Sequence, residues 1–271
     1  MIVQGNAVEV LRSLPNESVH CCLTSPPYFN LRRYCGQAFE IGLEESSADY
    51  ITNLAGVFAE VKRVLRGDGT LWIVIDDTYS DKSLALIPQR LEVELSASGW
   101  IIRNQVIWRK PNCVPASVKD RFTVDYETLI FATKSRNYRF DQQFEPQKAC
   151  SIARRNRARS SSHKSLRIPG QTTQGINRPR GRGEGDHNPN RNMRTTWDIA
   201  TTGSKLGHFA VFPGALAERC LRAGCPKGGV VLDPFAGSGS TGIAAKRMGI
   251  DYILVDLNPD YCQMMRQRGL I

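Results

Sequence analysis

The sequence predicts an α/β fold: a doubly wound, mostly parallel sheet. Three observations predict it. Short apolar runs alternate with segments of helical periodicity. A glycine-rich turn at residues 233–242 separates one such run from one such helix. The composition, 41% hydrophobic and 23% charged over 271 residues, is that of a soluble globular chain long enough to bury a real core. No apolar run approaches the ~18–20 residues that cross a bilayer. The start, MIVQGNAVEV, has no cationic region followed by an apolar one, which argues against a secretory signal.

Taken in order, residues 1–5 form a short apolar strand. Val8, Val10, Leu11 and Leu14 fit one helix face, and residues 19–23 form a second buried strand. That strand runs into Thr24-Ser25-Pro26-Pro27-Tyr28, where two prolines end it and stiffen the loop. Ile51, Leu54, Val57, Phe58, Val61, Val64 and Leu65 recur at helical spacing, with Gly67 and Gly69 bracketing the stop. Residues 71–75 read as a buried strand running into Asp76-Asp77-Thr78-Tyr79. Residues 84–97 read as a helix, and 101–108 and 128–132 as strands. The pattern fails at 146–194, then resumes: helix 213–223 closed by Gly224, strand 230–232, the glycine turn, helix 243–248, and a strand 252–255 ending at Asp256. A short segment, 259–268, comes after it. A doubly wound sheet would continue strand, helix, strand at that point, so the N-terminal strand is expected to continue the sheet from the C-terminal one. That would bring residues 25–28 to the same carboxyl edge as Gly237 and Asp256, where such sheets bind ligands.

The net charge is +10, and all of the excess sits in residues 146–194, which hold twelve Lys/Arg against two Asp/Glu. Five residues there are Ile, Leu or Met and none is aromatic, so the stretch cannot bury a core of its own. A neutral body with one cationic segment points to a polyanion, nucleic acid ahead of a merely solvated loop. Eight Cys show no C-x-x-C spacing, which argues against zinc and for reduced thiols in a cytoplasmic or nuclear-type compartment.

Gly237, Gly239 and Gly242 match G-x-G-x-x-G between a strand and a helix, and Asp256 follows Gly237 by 19 residues at the next strand end. Bare backbone, free N–H groups at a helix start and a carboxylate for ribose hydroxyls together point to a nucleotide-type cofactor. Asp233-Pro234-Phe235 ahead of the glycines is unlike the usual NAD pattern, and a P-loop lysine is absent.

These residues resemble the amino-methyltransferases of DNA, which use S-adenosylmethionine. Residues 233–241 resemble that family's cofactor loop and 24–28 its catalytic loop, about 210 residues earlier. Catalytic loop first and cofactor loop last, with a variable basic region between, resembles the circularly permuted β-class. The resemblance implies a Rossmann-like methyltransferase sheet in three parts: a catalytic half at 1–145, an inserted basic target-recognition region at 146–196, and a cofactor half at 197–271. Asp233, Phe235, Gly237, Ser238, Gly239 and Thr241 would line the methionine side of the cofactor. Asp256 would bind its ribose, with Asn258 beside it. The segment His208-Phe209-Ala210-Val211-Phe212-Pro213 would pack against it. Asn6, in Gln4-Gly5-Asn6, stands where many relatives carry a Gly-Asp contact to adenine. Asp76-Asp77-Thr78-Tyr79 resembles a strand-end segment near the target base; turn capping is the competing reading.

The resemblance further implies a chemistry. The exocyclic amine of cytosine or adenine shares its lone pair with the ring. Acceptors for its hydrogens, the Ser25 hydroxyl and the Pro26 carbonyl, push the nitrogen towards tetrahedral geometry and free that pair, and Pro26-Pro27 fixes the carbonyl's direction. Methyl transfer is then in line, without a covalent enzyme intermediate; none of the cysteines follows a proline, as a carbon-5 nucleophile would. The base must be flipped from double-stranded DNA, with Tyr28 placed to stack on it and Tyr34 an outer candidate. Ser rather than Asp or Asn at position 25 favours cytosine N4 over adenine N6. Arg154, Arg155, Arg157, Arg159, Lys164, Arg167, Arg178, Arg180 and Arg182 would contact DNA, some on phosphates and some on guanine edges. No membrane partner is expected. A homodimer and a companion restriction endonuclease fit the family, as does a cytoplasmic location, or the nucleus in a eukaryote.

Overall fold

In a computed structural model, the structure describes residues 1–31, 40–148, 150, 190–201 and 212–271. The chain divides into two compact units, Met1–Asp141 with Thr195–Ile271, and Gln142–Arg194.

The larger unit is built on one eight-stranded sheet. In chain order its described elements are β1 (Ile2–Gln4), α1 (Ala7–Ser13), β2 (Val19–Thr24), α2 (Ser47–Val64), β3 (Leu65–Ile75), a small hairpin of β4 (Tyr79–Ser80) and β5 (Ser83–Leu84), α3 (Ile87–Ala97), β6 (Ile101–Arg109) and β7 (Tyr126–Thr133). In the smaller unit, β8 (Phe144–Pro146) pairs antiparallel with β9 (Asn190–Asn192), and Arg191 and Arg194 both reach Glu145. The larger unit resumes with β10 (Thr196–Asp198), α4 (Gly214–Gly224), β11 (Val230–Asp233), α5 (Ser240–Met248), β12 (Asp251–Asp256) and α6 (Pro259–Gln267).

The sheet order is β1-β12-β11-β2-β3-β7-β6-β10. Every pairing is parallel except those of β7, which runs against β3 and β6. As expected, the first strand continues the sheet from the last: Ile2, Val3 and Gln4 pair with Leu254, Val255 and Asp256. At the centre β11 pairs with β2, Val231 opposite Cys21. The carboxyl ends Gln4, Asp256, Asp233, Thr24, Ile75 and Arg109 therefore fall along one edge, and reversed β7 begins there with Tyr126 and Glu127 opposite Arg109 and Trp108.

Central strands are buried on both faces, which is why they read as continuous apolar runs. Along β3, Leu71, Ile73 and Ile75 join the cluster under α1, α2 and α3, with Leu11, Leu54, Phe58 and Leu91. The alternating Thr70 and Trp72 face the other way, towards α4.

Two of the boundaries that differ from the sequence reading have a clear physical cause. Gly67 and Gly69 do not stop α2. Leu65 closes the helix through its own N–H to Val61 O and opens β3 at once, and the extra residues lie in a register shift against β2. Helix α3 starts at Ile87, not 84. Leu86 takes a left-handed φ of 58°, Pro88 follows in the first turn, and the Asp77 carboxylate accepts the N–H groups of Leu86 and Ile87 at 3.1 Å.

Gly224 is set by close approach. A Cβ there would stand 2.3 Å from Thr70 Oγ1 and 2.6 Å from Trp72 Nε1, in a contact where the Thr70 hydroxyl donates to the Gly224 carbonyl. Gly224→Ala is therefore expected to destabilise the fold by about 1–3 kcal/mol through overpacking. Urea unfolding would show it as a lower midpoint at unchanged slope.

Candidate active site

The loop after β2 is held from three sides. The Tyr50 hydroxyl, from α2, donates to the Pro27 carbonyl at 2.7 Å, and Asn30 N donates to Gly42 O at 2.8 Å. The Ser25 hydroxyl donates to Tyr28 Oη at 3.4 Å. Tyr28 Oη in turn donates to Glu127 Oε2 at 2.6 Å. Lys110, just past β6, donates its ammonium to the other Glu127 oxygen. Burial and then the Glu127 charge hold the Tyr28 phenol well above its ordinary range, so it is a neutral donor. Tyr28 was expected as a stacking platform; it is among the residues that line the cavity described below, and its hydroxyl is tied to the sheet.

The segment 76–79 splits in role. Asp77 caps its own turn and the start of α3. Asp76 belongs with the Tyr28 cluster: burial, then the Glu127 charge, push its carboxyl up to about 6.

On the other half, the Asp233 carboxylate is fully buried. Oδ1 accepts the Thr24 hydroxyl at 2.6 Å and Phe235 N at 3.1 Å, and Oδ2 accepts the Thr241 hydroxyl at 2.6 Å. Asp256 accepts Gly237 N at 2.7 Å and Asn258 N at 2.9 Å. Burial pushes both aspartates up to about 6. Gly239 precedes α5 with φ 84°, and a Cβ there would stand 2.7 Å from Leu270 Cδ1 and 2.8 Å from Met265 Cγ, so only glycine fits.

One cavity runs along this edge. Residues 25–28 line it together with Asn6, Phe212, Phe235, Gly237, Ser238, Asp256 and Asn258. The structure thus brings together two motifs separated by about 210 residues. It also corrects three expectations. Asp233, Gly239 and Thr241 do not line the cavity: Asp233 and Thr241 are bonded to each other with no exposed surface, and Gly239 turns the chain into α5. They shape the loop from beneath. Asn6 lines the cavity but uses its side-chain oxygen to cap α1, accepting Val8 N at 2.9 Å. Asn258 likewise caps α6 through Asp260 N.

Residues missed in the sequence are Glu127, Lys110 and Tyr50. For Glu127 the available signal was a carboxylate directly ahead of the buried run 128–132. Tyr34, 208–211 and the nine basic residues named as DNA contacts lie outside the described residues.

A raised carboxyl favours folding below its unfolded value, and that contribution is lost as pH rises through the folded one. For Asp233 the window runs from about 4 to about 6, and two units are worth about 3 kcal/mol. Relative to Asp233→Asn, which lacks this titration, the wild-type chain is expected to lose that much stability between pH 4 and pH 7. Urea melts across the range decide; a constant difference would refute it.

Comparisons with known proteins identify the family. The N6/N4 DNA methylase family profile matches residues 19–267. The type II methyltransferase M.Cfr9I of Citrobacter freundii is 34% identical over 98% of this chain and 86% of its own length. M.SmaI of Serratia marcescens is 32% identical over 99% and 90%. Among solved structures, the PvuII cytosine-N4-specific DNA methyltransferase superposes with a TM-score of 0.71 at 19% identity, over 100% of this chain and 86% of that one. A Thermus thermophilus protein, designated a DNA modification methylase and solved with S-adenosyl-L-methionine, gives 0.63 at 28% identity, over 98% and 93%. Matched along nearly its whole length by profile and relatives alike, the chain belongs to the N6/N4 DNA methylase family and is an S-adenosylmethionine-dependent DNA methyltransferase.

Proposed function

We propose that residues 25–28 form the catalytic loop of this methyltransferase and that the cavity beside them holds the cofactor, with cytosine N4 as the target amine. One observation carries the reading: the Ser-Pro-Pro-Tyr loop and the glycine-rich loop share a single cavity at the carboxyl edge. The donor set fits a nucleoside sulfonium. Asp256 presents a carboxylate at a strand end, suited to ribose hydroxyls. Phe212 and Phe235 give apolar walls, and Gly237 and Ser238 bring bare backbone close, suited to the methionine end. Asn6 and Asn258 complete the rim. When bound, S-adenosylmethionine supplies an electrophilic methyl group.

The protein's own part is to orient and activate the base. The Ser25 hydroxyl and Pro26 carbonyl accept the amine hydrogens and localise the nitrogen lone pair. The Pro27 carbonyl already accepts the Tyr50 hydroxyl, which anchors the loop from α2. Tyr28 contacts the flipped base by its ring. Residues 146–196 act as the target-recognition region, inserted between the catalytic half at 1–145 and the cofactor half at 197–271 of a permuted chain, with the arginines from Arg154 to Arg182 on the duplex. The reading extends to a cytoplasmic enzyme with a companion endonuclease, supported by kinship with the type II enzymes.

Three measurements test this. Nucleoside mass spectrometry of DNA treated with the purified protein is expected to show N4-methylcytosine; N6-methyladenine alone would overturn the base. Ser25→Ala is expected to lower the single-turnover rate by about 10²–10³ with binding retained; a near wild-type rate would make Ser25 structural. Asp256→Ala is expected to weaken cofactor binding in calorimetry while DNA binding stays; unchanged cofactor affinity would remove the ribose role.

A further inference from the structure

A serine hydroxyl has one proton and two lone pairs. To accept hydrogen from a substrate amine, Ser25 must direct its own proton elsewhere. Tyr28 Oη receives it at 3.4 Å. Tyr28 can accept because its own proton is committed to Glu127 Oε2 at 2.6 Å. Glu127, 6% exposed, is itself fixed, since Lys110 holds its other oxygen. The donors therefore run one way, from Ser25 to Tyr28 to Glu127, and the lysine closes the far end.

This pair is poorly explained by stability. A buried ion pair returns little or nothing over apolar residues of similar size. Here it sits where three backbone segments meet at the catalytic edge: the end of β6, the start of β7 and the loop after β2. Asp76 adds a second carboxylate that Glu127 and Lys110 both influence, so the lysine also offsets local negative charge.

We propose that Glu127, clamped by Lys110, is a positioning residue for methyl transfer: through the Tyr28 hydroxyl it fixes the direction of the Ser25 O–H bond and turns the Ser25 lone pairs towards the substrate amine. This rests on the reading of Ser25 as an acceptor for that amine.

A double-mutant cycle on single-turnover methyl transfer, at saturating DNA and S-adenosylmethionine, tests it. Tyr28→Phe keeps the ring and removes the link; Glu127→Gln weakens the far acceptor. Each is expected to slow transfer by about 10- to 100-fold. Cofactor and DNA dissociation constants should stay within about twofold, which a collapsed site would not allow. The double variant should be no slower than Tyr28→Phe, and Glu127→Gln should cost nothing further in a Ser25→Ala background, because a chain broken once has nothing left to transmit. Should Glu127→Gln fail to fold, Lys110→Gln/Glu127→Gln, free of a buried unpaired charge, carries the same cycle. Multiplicative losses, or a Glu127→Gln rate equal to wild type, would overturn the proposal. Those results leave wild-type methylation of DNA intact; absence of wild-type methylation overturns both readings.

Discussion

A single buried carboxylate joins the two ends of the sequence. Asp233 closes β11 and receives the hydroxyls of Thr24, which ends β2, and Thr241, in the first turn of α5, both at 2.6 Å. Removing a carboxylate from water is costly unless its lone pairs are filled, and here three donors fill them. The arrangement fixes where β2 must stop and where α5 must begin. Residues 25–28 leave the sheet at the first point and the glycine-rich loop lies between Asp233 and the second, so their shared cavity depends on Asp233 without being touched by it.

Asp76, Asp233 and Asp256 are pushed up to about 6 mainly by burial, yet each is used differently. Asp233 is wholly internal. Asp256 spends lone pairs on Gly237 and Asn258 and still opens on the cavity. Asp76 shares its surroundings with Glu127 and Lys110. An edge that gathers this much negative charge suits a cationic ligand, while the whole excess positive charge of the sequence lies in residues 146–194.

The fold was legible because double-sided burial writes itself as apolar runs, and helices as 3.6-residue spacing. The features that escaped were set by long-range contact. Strand β3 begins six residues before the expected 71 because pairing with β2 recruits polar residues through a register shift. Asp233 and Asp256 look alike in sequence, both acidic residues at strand ends. Which of them faces the cavity depends on the threonines from two other elements that close around Asp233. Ser25 and Tyr28 could be named from a motif. Glu127 could not, since its partners lie 17 and 99 residues away and no local pattern links them.

The sheet order carries a consequence for how the chain is made. Strand β2, with five of its six residues fully buried, lies between β3 and β11. Synthesis delivers β3 early but β11 only after residue 229. A ribosome-bound chain thus holds the middle of its future sheet as a bare hydrophobic edge until β11 emerges, the kind of edge that recruits other strands. Parallel pairing over such separations is intrinsically slow. Residues 230–271 act as the closing piece: without β11, one side of β2 has no strand to pair with.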